Sequence, residues 1–266
     1  MDARRMGGVA GAGLLLVAAP GAALAHMPYL LPNVFDTVER DHVTVQASFT
    51  EDPFIPEVVM KSDAFHVLGA NGRTPITAVT YLRDLAVFEA PIPAKGAYRI
   101  SSGERLGRKG KMFKSAAGQW EMTGEGAERP AGVELVDVQS VTLAEVYVSR
   151  GAPTNEALTV TGKGLELRPI THPSAIFADQ PARFELTFDG KPVSGADVEV
   201  YRSAGIYDGR KKLDGEIKTD AKGGFALTPP DAGTYLALIR HRTAAPVGAE
   251  TPYRSYSYSL TFEATE

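Results

Sequence analysis

The sequence predicts an all-β protein, and three observations support this prediction. Apolar and polar residues alternate with a period of two in many short runs, as in HVTVQASF at residues 42–49, which is the pattern of a half-buried strand. Turn signals such as Asn71-Gly72 separate these runs. Helical periodicity of useful length is hard to find. We therefore expect β-strands throughout residues 26–266.

The first element is a predicted secretory signal peptide at residues 1–25. Arg4 and Arg5 precede an apolar run that is rich in Gly, Ala, Leu and Val, and this run closes on the small residue Ala25. Cleavage after Ala25 would make His26 the first residue of the mature protein. Because the signal is short and Ala-rich and no cysteine follows it, we expect a protein free in a bacterial periplasm.

The composition excludes several classes of site. The whole chain has 28 basic and 32 acidic residues; without residues 1–25, 26 basic and 31 acidic residues remain, so the mature net charge is about −5. This charge argues against a nucleic-acid partner, which usually requires a basic surface. The chain has no cysteine, so thiolate metal sites, thiol catalysis and disulfides are excluded.

Two β domains are predicted after the signal. The first covers residues 26–162, with strand-like runs such as AFHVLG, LAVFEA, GAYRIS, VELVDVQS and AEVYVS. A Gly-rich turn near residues 162–166 leads into a second domain at residues 166–266, with the runs RFELTF, ADVEVYR, GGFALTP, TYLALIRH and SYSYSLTFEA. The short and regular spacing of these runs predicts an immunoglobulin-like or transthyretin-like β-sandwich.

His26 is the first candidate metal ligand. As an N-terminal residue it would offer a free α-amine and an imidazole, and nitrogen ligands of this kind chelate borderline ions such as nickel and copper. The acidic stretch TEDPFIPE contains Glu51, Asp52 and Glu57. These carboxylates either supply an oxygen ligand or attract cations to this site, or they form a solvated turn.

The other histidines and the basic segment have several interpretations. His66 has Asp63 three residues earlier and is a second candidate ligand. His42 is interpreted as a solvated start of a strand, and His172, which precedes a proline, as support for the interdomain linker. The segment SSGERLGRKGKMFK at residues 101–114 is the most basic; it is expected to be a solvated loop or a contact for an acidic partner or membrane surface.

The mature chain resembles a known family. The stretches HMPYLLP, DGKPVSGA, TDAKGGF and TYLALIRH are similar to those of DUF4198, a domain of unknown function that is also described as a nickel-uptake (NikM-like) periplasmic family. The resemblance covers essentially all of the mature chain. Tyr29 stands where family members commonly have tryptophan.

This resemblance implies a protein that takes part in the uptake of a divalent metal, nickel or cobalt, with the mature N-terminal histidine as a ligand. It also points to His241, which corresponds to the family's histidine at the end of a strand. In TYLALIRH, the residues Tyr235, Ala237, Ile239 and His241 share one face. The expected metal ligands are therefore His26, His241 and His66, and the expected cofactor is a divalent transition metal ion, nickel or cobalt in preference to copper.

Three functional hypotheses follow. The first is a non-enzymatic periplasmic protein that binds a divalent metal ion and delivers it to a membrane transporter. The second is an adaptor module that docks on an outer-membrane receptor or transporter. The third is a copper oxidoreductase built on the same N-terminal histidine. In the first and the third hypothesis alike, the α-amine and imidazole of His26 and the imidazole of His241 would hold the ion and leave open positions.

Overall fold

The computed structural model describes residues 26–115, 120–122, 132–203, 207, 209, 212–213 and 215–266. These residues form twenty strands and two short 3₁₀ helices, Glu156–Leu158 and Pro173–Ala175, so the all-β prediction is confirmed. No helix among them has the length and apolar character needed to span a bilayer. The predicted signal peptide, residues 1–25, lies outside the described residues.

The strands before the first 3₁₀ helix are twelve in number. They are β1 (Met27–Pro32), β2 (Asp36–Thr37), β3 (His42–Thr50), β4 (Val58–Val59), β5 (His66–Gly69), β6 (Gly72–Pro75), β7 (Val79–Tyr81), β8 (Ala86–Pro91), β9 (Gly96–Ser101), β10 (Arg105–Lys114), β11 (Trp120–Met122) and β12 (Val136–Arg150).

The later strands are eight in number. They are β13 (Leu165–Pro169), β14 (Ala182–Phe188), β15 (Lys191–Pro192), β16 (Asp197–Arg202), β17 (Ile217–Lys218), β18 (Gly224–Leu227), β19 (Gly233–Ala244) and β20 (Tyr253–Ala264).

The strands form three sheets. The first sheet has the order β1-β3-β8-β7, with β4 paired to β3. The main sheet has the order β17-β16-β19-β20-β12-β9-β5-β6 and also carries β2, β10 and β11; the third sheet joins β13, β14, β15 and β18. In the main sheet β12 runs parallel to β20. One continuous sheet therefore crosses the predicted boundary between the two halves of the chain, while the division into two domains stays a prediction.

The main sheet is covered on both faces. One core lies between it and the first sheet and includes Val45, Phe88 and Val146. Another lies between it and the third sheet and includes Phe184 and Tyr258. Because neighbouring side chains of a strand point to opposite faces, the central strands β9 and β12 contribute alternate residues to the two cores.

Strand β3 follows the predicted alternation only in part. Val43, Val45 and Ala47 are buried as expected. Ser48 is buried as well, although the pattern predicts an outward position. Its hydroxyl oxygen lies 2.9 Å from the carbonyl oxygen of Val58 and 2.6 Å from that of Asp84, so its one hydrogen is donated among these acceptors. Both faces of β3 are thus covered at this point, and these hydrogen bonds satisfy the buried hydroxyl.

The basic segment is a strand and not the expected loop. Residues Arg105–Lys114 form β10, which pairs with β12 from Arg105 opposite Thr142 to Met112 opposite Val136. Met112 is buried, and Lys111 forms an ion pair with Asp137 at 2.7 Å. The prediction was wrong because a strand whose basic side chains are mostly exposed has the composition of a loop. The sequence does not show that β12 pairs with it.

Candidate metal centre

Three adjacent strands bring a histidine and two glutamates together at one end of the first sheet. In the pairing of β1 with β3, Met27 lies opposite Thr50. In the pairing of β4 with β3, Val58 lies opposite Phe49. The residues just beyond these pairs, His26, Glu51 and Glu57, therefore lie side by side.

The ligand atoms of this cluster are close enough to share an ion. Nε2 of His26 lies 3.4 Å from Oε2 of Glu57 and 3.9 Å from Oε1 of Glu51. The side chains of His26, Glu51 and Glu57 are 42%, 51% and 34% exposed. Among the described residues, this is the one group of three metal-ligating side chains with all ligand atoms within 4.8 Å. The cluster is open to solvent, so an ion can enter and leave.

The loop between β3 and β4 holds the two carboxylates in place. The backbone N–H of Glu51 donates to Oε1 of Glu57 at 3.0 Å, which leaves the other oxygen of Glu57 facing His26. Phe54 adopts a left-handed backbone conformation (φ 64°) and packs edge-on against Tyr29, with ring centroids 5.5 Å apart. This aromatic contact anchors the loop to β1, the strand that also positions His26.

Strand β1, which follows His26, contributes side chains to a buried apolar cluster. Tyr29 is fully buried with Met27, Leu236 and Leu238. Burial raises the pKa of Tyr29 to about 12, and Ser48 opposes this shift. The phenol is therefore neutral at physiological pH and adds no charge to β1.

His241 lies on the opposite face of the main sheet from His26. Strand β1 packs on the face of β19 that carries Leu236 and Leu238, whereas His241 belongs to the alternate set of residues. Its ring lies against Phe188, with centroids 5.1 Å apart. Burial, with a smaller effect from the charge of Arg242, lowers the pKa of His241. The structure therefore brings Glu51 and Glu57 to His26 and does not bring His241 there.

His66 is engaged elsewhere. Its Nδ1 lies 2.8 Å from the carbonyl oxygen of Ala64 and 3.3 Å from Nη2 of Arg73. Burial lowers the pKa of His66, while the hydrogen bond to Ala64 raises it and Arg73 lowers it further. In the described ranges no three-residue ligand group includes His66, so Asp63 and His66 do not form part of one.

The two remaining histidines have local partners. Nδ1 of His42 lies 3.0 Å from Oδ1 of Asp41 at the exposed start of β3. His172 precedes the second 3₁₀ helix, where its Nδ1 accepts a hydrogen bond from the backbone N–H of Ser174 at 3.2 Å. Its Nε2 lies 3.0 Å from the carbonyl oxygen of Thr154. This side chain therefore ties the linker to the first half of the chain.

The sequence offered the glutamates as one possible source of an oxygen ligand for the His26 site, but it did not place them beside His26. The acidic stretch itself indicated that Glu51 and Glu57 lie close together. A short loop that joins two antiparallel strands brings the residues at its two ends next to each other. What the sequence did not contain was the position of β1 beside β3, which depends on pairing across more than twenty residues.

The comparisons with known proteins concern the family and the fold. The family model described as "Domain of unknown function (DUF4198)" matches residues 23–243. None of the curated proteins matches the chain. Solved structures with weak similarity include a tetra-tandem repeat in the extending region of a large adhesion protein (13% identity, TM-score 0.22), with 90% of this chain and 50% of that one covered.

Two further structures are similar at the same level. One is the adhesin InvE of Yersinia pseudotuberculosis, with 13% identity, a TM-score of 0.20, and coverage of 89% of this chain and 58% of that one. The other is trypsin-activated alpha-2-macroglobulin from Escherichia coli, with 12% identity, a TM-score of 0.23, and coverage of 91% and 24%. The chain thus spans about half the length, or less, of these structures.

Proposed function

Because the chain belongs to DUF4198, a family described as a domain of unknown function, we propose a function from its own residues: it binds a divalent transition metal ion through His26, Glu51 and Glu57. The observation that carries the proposal is the distance of 3.4 Å between Nε2 of His26 and Oε2 of Glu57. Two ligand atoms that are each about 2.1 Å from a tetrahedral ion are about 3.4 Å apart.

The donor set suits an ion that must be exchanged. One imidazole nitrogen and two carboxylate oxygens are ligands for borderline and harder divalent ions. All three side chains are partly exposed, so water completes the coordination and a receiving protein can approach. We propose that the ion is nickel or cobalt and that the protein delivers it to a membrane transporter in the periplasm, without catalytic turnover.

Cleavage of the predicted signal peptide after Ala25 adds a second way for His26 to bind. The new α-amine and Nδ1 of His26 would chelate the ion, and Nε2–H would then donate to Glu57. A carboxylate commonly orients a ligating histidine in this way. In the first arrangement Glu57 is a ligand, and in the second it positions the ring.

The test is calorimetric titration of metal-free residues 26–266 with nickel, cobalt, copper and zinc. The parent begins with His26, and a matched control carries one additional alanine before it. Stoichiometric binding that His26→Ala removes supports the proposal. Binding that survives the additional alanine indicates the arrangement through Nε2, and binding that is lost indicates the N-terminal chelate. If none of the four ions binds the parent, the metal-binding proposal is wrong.

The adaptor hypothesis makes the opposite prediction for the same variants. A protein that only docks on a receptor or transporter would bind its partner equally well with His26→Ala and with Glu57→Gln. A three-nitrogen site from His26 and His241 was expected for the metal carrier and for the copper oxidoreductase alike. Because the two histidines lie apart, the present proposal has the carboxylates of Glu51 and Glu57 in place of His241. Two oxygen ligands beside one imidazole suit the exchange of a divalent ion better than copper oxygen chemistry.

A further inference from the structure

Two arginines extend beyond the part of β19 that β1 covers. Arg240 and Arg242 follow Leu236 and Leu238 at intervals of two, so all four residues share one face of the main sheet. Leu236 and Leu238 are buried beneath β1. Arg240 and Arg242 are half-buried and line an open cavity of about 520 Å³.

The carboxylates around this cavity already have cationic partners. Oε2 of Glu199 accepts a hydrogen bond from Nη1 of Arg240 at 2.6 Å, and its Oε1 accepts one from Nζ of Lys212 at 2.6 Å. Lys218 lies 3.6 Å from Asp197 and forms an ion pair with Glu216. The negative charge of the cavity is therefore matched without Arg242.

None of these described ion pairs includes Arg242. Within the described ranges, no carboxylate oxygen lies within 4.0 Å of its guanidinium nitrogens, and its buried Nε has no hydrogen-bond acceptor. Burial and the nearby charge of Arg240 lower the pKa of Arg242. The guanidinium of Arg242 therefore lines the cavity with donors that no described carboxylate uses, and an oxyanion in the cavity would satisfy them.

The neighbouring strand supplies hydroxyl donors on the same face. In the pairing of β19 with β20, Ser255 lies opposite Arg242 and Ser257 lies opposite Arg240. Both serines are half-buried. A guanidinium beside hydroxyl groups is a donor set for oxyanions, because arginine binds carboxylate and phosphate groups with two parallel N–H bonds.

We propose that Arg242, supported by Arg240 and Ser255, forms a binding site for an oxyanion, the carboxylate or phosphate group of a small molecule. The site is separate from the proposed metal centre, since none of its residues belongs to the cluster of His26, Glu51 and Glu57. It predicts that the protein takes up an acidic small molecule on the main sheet whether or not a metal ion is bound.

The experiment measures thermal unfolding of metal-free residues 26–266 with inorganic phosphate or acetate, against sodium chloride at the same ionic strength. At ten times the dissociation constant of the bound anion, we expect the unfolding midpoint to rise by about 3 to 6 °C. Arg242→Gln should weaken binding at least tenfold, whereas Arg242→Lys, which keeps the charge but loses the two-pronged geometry, should retain part of it.

Two controls separate this site from other effects. Arg168→Gln removes an exposed arginine that is paired with Glu185 and should leave the anion response unchanged. His26→Ala should also leave it unchanged, even where metal binding is lost. In buffer without oxyanions, Arg242→Gln should unfold at the same or a higher temperature than the parent, because a half-buried charge with no carboxylate partner among the described residues has been removed.

The shifts of the unfolding midpoint either identify the class of anion that binds or show that the proposed site is wrong. A response to phosphate alone indicates a phosphorylated ligand, and a response to acetate indicates a carboxylate. The proposal is wrong if chloride produces the same rise as both oxyanions, or if Arg242→Gln keeps the full response. A folded Arg242→Gln protein that is clearly less stable than the parent in oxyanion-free buffer would also overturn it, because that result assigns Arg242 a structural role.

Discussion

The surroundings of His26 and His241 differ in charge, although both residues are histidines at strand ends. His26 lies at the open end of the first sheet, where its Nε2 faces two carboxylates. His241 lies on the other face of the main sheet, against the ring of Phe188 and next to Arg242. The first environment attracts a cation and the second repels one.

This difference shows that residue type alone is weak evidence for a ligand. Both histidines end an apolar run and both match the resembled family at their positions. What distinguishes them is the face of the main sheet that each side chain occupies. Strand β1 packs on the face of β19 that carries Leu236 and Leu238, and His241 belongs to the other face. The following predictions test this separation, from the largest expected effect to the smallest.

The largest expected effect is on metal affinity. His26→Ala should weaken nickel or cobalt binding by about 100-fold or more, since loss of a group that only orients a ligand already costs about 10- to 100-fold. His241→Ala should leave the affinity within about twofold. Calorimetry measures both. His42→Ala, which removes an exposed histidine beside a single aspartate, is the matched control, and equal losses for His26→Ala and His241→Ala would break the comparison.

Glu57→Gln should weaken metal binding by about 10- to 100-fold. The substitution keeps the shape of the side chain and an oxygen that can accept the hydrogen bond from the N–H of Glu51, but it removes the negative charge. Glu89→Gln, at an exposed position of β8, is the control and should bind like the parent. An unchanged affinity in Glu57→Gln would mean that the carboxylate neither binds the ion nor positions His26.

The free energy of unfolding should respond to the two histidine substitutions in the reverse order of the metal affinity. His241→Ala should lower the free energy of unfolding by about 1 kcal/mol, because a half-buried ring that packs on Phe188 is lost. His26→Ala should change it by less than about 0.5 kcal/mol in metal-free protein, since its side chain is exposed. Urea unfolding measures both values. If His26→Ala is the more destabilising variant, His26 at the start of β1 has a structural role rather than a role in binding.

The smallest expected effect concerns pH. Because burial lowers the pKa of His241, its midpoint in an NMR titration should lie below the ordinary value of about 6.5. The folded protein then binds this proton less readily than the unfolded chain, so the stabilising contribution is complete above about pH 6.5 and falls as the pH drops. His241→Gln should reduce this loss, and the part that remains includes His66, whose pKa is also lowered. A midpoint above 6.5 would contradict the buried, cation-flanked environment.

Much of the fold could be predicted because its signals are local. The alternation of Val43, Val45 and Ala47 and the turn at Asn71-Gly72 depend only on neighbouring residues, and they predicted an all-β chain. The pairing of β12 with β20 depends on contacts across more than one hundred residues. Nothing in either strand's own pattern indicates which partner it takes, so the continuous main sheet was not predicted.

The candidate site was predicted in its parts and not in its assembly. His26, Glu51 and Glu57 were each recognised as residues that can bind a cation. Their convergence requires β1 and β4 to lie on the two sides of β3, and this arrangement is set by long-range pairing. The placement of His241 failed for a related reason: alternation identifies which residues share a face, but it does not identify what covers that face.

The central position of β20 has a consequence for the order of folding. This strand, Tyr253–Ala264, lies between β12 and β19, so the earlier part of the chain cannot complete its largest sheet until these residues have been synthesised. Pairings of such large sequence separation form slowly, and until then both neighbouring strands present unpaired edges that promote aggregation. A chaperone that covers strand edges would therefore have the most to protect in the interval before β20 joins the sheet.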